Sequence, residues 1–150
     1  VKSMSVLIDT AILAPAAVLA LWSMVVLMWL VLTRFPAFSK LGIKVADAAA
    51  GSRYQDVESM MPGKTNWVSH NYSHLMEQPT VFYPVVGILA LVGGGDEMNL
   101  TLAWAYVVLR ILHSFWQILV NTLSIRILLF ASSSLCLLAL SINAVLATLG

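Results

Sequence analysis

Apolar residues run almost unbroken through four stretches of the chain, and polar residues collect between them. The first stretch, about 6–34, is apolar apart from Asp9 and small hydroxyls. At ~1.5 Å per residue it is long enough to cross the roughly 30 Å hydrocarbon core of a bilayer with some tilt. Lys2 followed by an apolar run has the look of a signal peptide, but the run continues through Trp22 and Trp29, so a retained first helix is expected. Pro15 predicts a kink, and Arg34 followed by Phe35 and Pro36 predicts the end. Residues 35–68 form the one long polar segment and read as a loop. Within it, 43–50 is expected to form a short surface helix closed by Gly51 and Ser52, and Pro62-Gly63 reads as a turn. A second helix is expected over about 69–92, bent or loosened by Pro79 and Pro84. The run Gly93-Gly94-Gly95-Asp96-Glu97 is a short turn. The third and fourth helices are expected at about 99–123 and 125–149, with a very short break between them. The pattern therefore predicts an all-α integral membrane protein, a four-transmembrane-helix bundle, as one domain over 1–150.

One feature interrupts the apolar pattern. The third helix carries Arg110, His113, Gln117 and Asn121 at i, i+3, i+7 and i+11, which places them on one helical face. An Arg in mid-bilayer costs at least about 2.5–3.5 kcal/mol, so this stripe must face other helices or a wet cavity. On the second helix, His70, His74 and Glu77 share a face by the same reasoning. Basic residues set the orientation. Arg34, Lys40, Lys44, Arg53 and Lys64 follow the first helix and Arg126 opens the fourth, against Lys2 alone on the other side. The positive-inside rule places the 35–68 loop in the cytoplasm and both termini outside it. In that topology Arg34, His70, His74, His113, Gln117 and Arg126 converge on a polar pocket at the cytoplasmic face, suited to an anion or a carboxylate-bearing small molecule. Glu77 is expected to reach Arg110 and neutralise it.

Composition narrows the class. Of 150 residues, 60% are hydrophobic and 10% charged, against about 25% charged in a soluble domain; mean hydropathy is +0.90. A net charge of +1 argues against nucleic acid as a partner. The single cysteine, Cys136, lies in an apolar run and reads as a small buried hydrophobe, and Ser132, Ser133 and Ser134 read as helix-packing serines. His70, His74 and Glu77 have helical spacing that can serve a metal, with His113 as a further ligand, but the chain lacks clustered thiolates or a second carboxylate there, and no metal ligands are assigned.

Two segments resemble the membrane-associated proteins in eicosanoid and glutathione metabolism, the MAPEG superfamily, and are most similar to a bacterial branch of it. The first is Asn71-Tyr72-Ser73-His74-Leu75-Met76-Glu77-Gln78-Pro79 with Phe82-Tyr83 following. The second is Ala103-Trp104-Ala105-Tyr106-Val107-Val108-Leu109-Arg110-Ile111-Leu112-His113-Ser114, with Arg126 beyond it. The resemblance implies a four-helix protomer in a homotrimer, or in a larger membrane complex, seated among membrane lipids in a bacterial inner membrane. It implies glutathione as cofactor, bound near the cytoplasmic face, and a lipophilic small-molecule substrate. It makes Arg126 the catalytic residue that holds the sulfur as thiolate, and Arg34, His74, Glu77, Arg110 and His113 cofactor contacts. The chain departs from the family pattern at Ser73, Gln117, Ile127 and Phe130. Two functional readings stay open: a glutathione-dependent transferase or peroxidase, and a non-catalytic scaffold, lipid binder or accessory subunit of the same fold.

Overall fold

A computed structural model describes residues 8–150. Its helices are α1 (Leu13–Lys40), α2 (Gly63–Glu77), α3 (Pro79–Leu91), α4 (Glu97–Leu119) and α5 (Leu123–Leu149), and no strand occurs among the described residues. Helices α1, α4 and α5 are each long and apolar enough to cross a membrane. Helix α4 is the hub and packs on α5, α1 and α2, while α3 packs on α5 and α1. The core holds Leu19, Val26, Leu75, Phe82, Val86, Tyr106, Val107 and Leu140.

Helix α1 differs from expectation at both ends. Residues 6 and 7 lie outside the described region, and the helix starts only at Leu13. Pro15 falls in its first turn, where backbone N–H groups have no helical partner, so the proline removes no bond there. At the other end the helix passes through Pro36 to Lys40. Ala37, buried beyond that proline, and Phe38, packed 6.3 Å from the Tyr54 ring, hold the extra turn in place. The expected surface helix over 43–50 is only a 3-10 turn at Val45–Asp47; nothing in this short segment is buried, so no packing supports a longer helix.

The second expected helix forms in two pieces. Pro62 precedes α2 with its carbonyl accepting from Thr65 N at 3.0 Å and Asn66 N at 3.3 Å. The helix therefore begins six residues earlier than the apolar pattern indicates, because Thr65 and Val68 are already buried. Pro79 withholds a donor and separates α2 from α3, yet Gln78 keeps helical angles (φ −62, ψ −39), so the direction of the chain continues. Polar side chains pin this joint: Gln78 Nε2 donates to Ser134 Oγ at 2.7 Å, and Tyr106 Oη donates to Gln78 Oε1 at 3.3 Å. Ser133 and Ser134 both donate back to the Phe130 carbonyl, the structural use expected of them.

The opposite end of the bundle is tied by asparagines. Asp96 caps α4 by accepting from Asn99 N at 2.8 Å. Asn99 donates to the Gly94 carbonyl at 2.8 Å and accepts from Asn143 Nδ2 at 2.7 Å, which joins the start of α4 to the end of α5. Asn143→Ala is expected to leave the buried Asn99 oxygen unpaired. The cost should be about 1 kcal/mol, within the ~0.6–1.7 range of interhelical hydrogen bonds in membranes, read as a lower unfolding midpoint with unchanged helix content.

Candidate functional site

The polar stripe of α4 is buried as its spacing required. Arg110, His113 and Gln117 are each no more than 2% exposed. Asn121 leaves the stripe: it sits in the α4–α5 turn with φ 61. Its N–H donates to the Trp116 carbonyl at 2.7 Å, and its left-handed backbone lets the chain reverse within three residues. That turn puts Arg126, the fourth residue of α5, above the end of α4, where its Nη1 donates to Asn121 Oδ1 at 2.9 Å.

Arg126 shares a cleft of about 160 Å³ with His74, His113, Leu123, Ile127 and Phe130. The two imidazoles meet edge to face, with centroids 5.8 Å apart. Behind them Arg110 donates through Nη2 to the His74 carbonyl at 2.9 Å and lies 5.7 Å from the Phe130 ring centroid. Two nitrogens of cleft-lining residues are buried without a protein partner, Arg126 Nε and His113 Nδ1; deeper in the bundle so are Arg110 Nε and Nη1 and both side-chain polar atoms of Gln117 and of Asn71. Buried polar groups normally find a partner. Guanidinium and imidazole donors of this kind suit an anionic group with several acceptors.

The structure brings His74, His113 and Arg126 together, with Arg110 beneath them, and leaves the other expected members elsewhere. Glu77 does not meet Arg110 within the protomer. Its side chain is 67% exposed and its one partner is His74 Nδ1 at 3.4 Å. Spacing put Glu77 on the same side of α2 as His74 and His70, but only His74 of the three reaches α4, and the Glu77 carboxylate is turned outward. Arg34 is also outside the cleft. It donates through Nη2 to Ser69 Oγ at 2.8 Å, and its guanidinium lies 3.6 Å from the Tyr54 ring centroid. Burial raises the Tyr54 hydroxyl above its ordinary range despite the lowering pull of Arg34, so it stays protonated and donates to Asn66 Oδ1 at 2.6 Å. His70 pairs with Glu58 of the loop. With His70 and His74 each held by a different carboxylate, no group of three His, Cys, Asp or Glu side chains suited to a metal ion forms among the described residues.

Sequence spacing did not single out Gln78 and Ser134 as the tie at the α2–α3 joint, nor Phe130 as part of the cleft wall. A glutamine just before a proline, facing a serine run on another helix, is the one signal that points to the first two.

Long apolar helices around a buried polar seam, with a cationic cleft at one end, define an all-helical integral membrane protein. The sequence model of the MAPEG family matches residues 12–146, and the chain belongs to that family. No curated protein and no solved structure matches it.

Proposed function

We propose that the protein is a glutathione-dependent transferase or peroxidase acting on lipophilic electrophiles that reach it from the bilayer. The observation that carries this reading is the pair of buried, unpartnered nitrogens, Arg126 Nε and His113 Nδ1, on residues lining one cleft. Glutathione, when bound, supplies a thiol. Arg126 holds its charge in the first turns of α5, where the positive end of the helix adds to it. A guanidinium in that position favours the thiolate of a group whose free pKa is about 8.5. His74 and His113 form the neighbouring wall, and Arg110 fixes the backbone that carries His74.

The cleft is about 160 Å³, below the ~300–1,000 Å³ usual for small-molecule sites. A second copy of the chain supplies the missing wall in the proposed homotrimer, with Glu77 of α2 at the contact. The end-to-end pair α2 and α3 forms one crossing, the second in chain order, and the basic residues between α1 and α2 face the cytoplasm. Both termini then lie outside it, in a bacterial inner membrane. Arg34 is left out of this cofactor site.

The apolar side chains of Ile127 and Phe130 in the cleft wall favour a second reading, a non-catalytic scaffold, lipid binder or accessory subunit of a larger membrane complex. Melting of the detergent-purified protein against reduced glutathione separates the two. At one hundred times the dissociation constant a specific ligand adds about 2.7 kcal/mol of stability. A saturable rise in Tm is expected, and it should disappear in Arg126→Ala. A flat response up to millimolar glutathione would move the assignment to the scaffold reading.

A further inference from the structure

A second, partly enclosed and mainly apolar space lies away from the Arg126 cleft. It is a cavity of about 330 Å³ between the last turns of α1 and the loop that folds back over them. Along α1 its lining runs from Leu27, Leu30 and Val31 to Arg34 and then Phe38, and Arg34 with Ser52 and Arg53 of the loop makes up its charged part. Leu27 lies seven residues before Arg34, so it sits ~10 Å further along the helix, on the bilayer side. Phe35 lines the wall and is 55% exposed. The loop forms a definite wall: Ile43 N donates to the Phe38 carbonyl at 2.9 Å, and Asn66, bonded to Tyr54, also donates to the Glu58 carbonyl at 2.9 Å. In the charged part Arg34 Nε is buried without a hydrogen-bond partner.

We propose that this cavity is a binding site for an anionic membrane phospholipid, with the phosphate on Arg34 and Arg53 and one acyl chain running past Val31 to Leu27. The order along α1, with Leu27 and Val31 on the bilayer side of Arg34, matches a lipid in the cytoplasmic leaflet, with its phosphate at the interface and hydrocarbon inward. Guanidinium groups suit phosphate oxygens. A volume at the low end of the ~300–1,000 Å³ range for small-molecule sites takes one chain, and the second chain stays in the bilayer. Lys40 and Lys44, both exposed on the same connection, add attraction for an anionic headgroup. This site does not depend on the glutathione reading.

The test uses the full chain, stripped of lipid in mild detergent and titrated with phosphatidylglycerol or with phosphatidylcholine of the same chains. Native mass spectrometry counts bound lipid. Arg34 also holds Ser69 and Tyr54, so the variants are Arg53→Ala, which removes one exposed cation, and Ala48→Trp, which fills the cavity from the exposed loop. One phosphatidylglycerol per protomer is expected, with phosphatidylcholine much weaker. Arg53→Ala should weaken it about fivefold, the worth of one interfacial cation, and Ala48→Trp should abolish it while helix content stays unchanged. Equal retention of the two lipids, or binding indifferent to both variants, overturns the proposal. So does displacement of the lipid by millimolar inorganic phosphate or reduced glutathione, which would assign the charged part to a soluble anion.

Discussion

Glu77→Ala is expected to break the proposed homotrimer into protomers that stay folded. In the single chain the Glu77 side chain is 67% exposed, and its ion-pair partner is His74 at 3.4 Å. It lies fourteen residues before Leu91, the end of α3, so in the proposed topology it sits ~21 Å from the outer end of that crossing, within the ~30 Å hydrocarbon layer. A carboxylate there cannot face lipid cheaply, and the neighbouring copy must cover it. Removing one member of a buried polar contact costs about 3–5 kcal/mol because the partner is left uncompensated. At the low end this weakens association roughly a hundredfold. Light scattering after size-exclusion chromatography should show a smaller particle, with circular dichroism unchanged. If Glu77→Ala kept the assembly but lost helix content, the residue would belong to the protomer fold and the contact proposed here would be wrong.

The second large effect concerns the core. The Phe82 ring is fully buried and stacks on Tyr106 with centroids 4.4 Å apart and planes inclined by 26°. Phe→Ala in a soluble core costs about 3–5 kcal/mol. In a bilayer the transfer part shrinks, since lipid chains are as apolar as the core, while the loss of packing remains. Phe82→Ala is therefore expected near the low end, about 3 kcal/mol. It should also loosen the Tyr106–Gln78 hydrogen bond and so the joint between α2 and α3. Phe82→Leu retains most of the volume and should cost less than about 1.5 kcal/mol. Unfolding in a graded detergent mixture measures both, and equal midpoints for the two variants would contradict the packing argument.

Much of the architecture was legible because membrane crossing leaves few alternatives. Long apolar runs located α4 and α5, although α4 ends at Leu119, four residues before the expected 123, and Pro79 marked the joint at Gln78. The end of α1 was not legible, since whether Pro36 stops a helix depends on what packs beyond it. The convergence of His74, His113 and Arg126 followed from helix order and residue spacing. The expected pairing of Glu77 with Arg110 failed for a physical reason. Spacing tells which residues share a face of one helix, but the rotation of that face toward its neighbours is set by packing. His74 and Glu77 lie on the same side of α2, yet only the His74 backbone and ring reach α4, while the carboxylate three residues on is turned outward.

The joint at Gln78 also bears on biosynthesis. Helix α3 has 13 residues, ~20 Å of helix, too short to cross the ~30 Å core alone. Helix α2 brings His70, Asn71, His74 and Glu77, a sequence that an insertion channel has little reason to release into lipid. The proposed second crossing therefore enters the bilayer late. Helix α4 must arrive first and offer its polar seam as the surface against which α2 settles. Maturation is then a step after synthesis of the first crossing, and a truncated chain ending before α4 should leave α2 accessible to water-soluble labels.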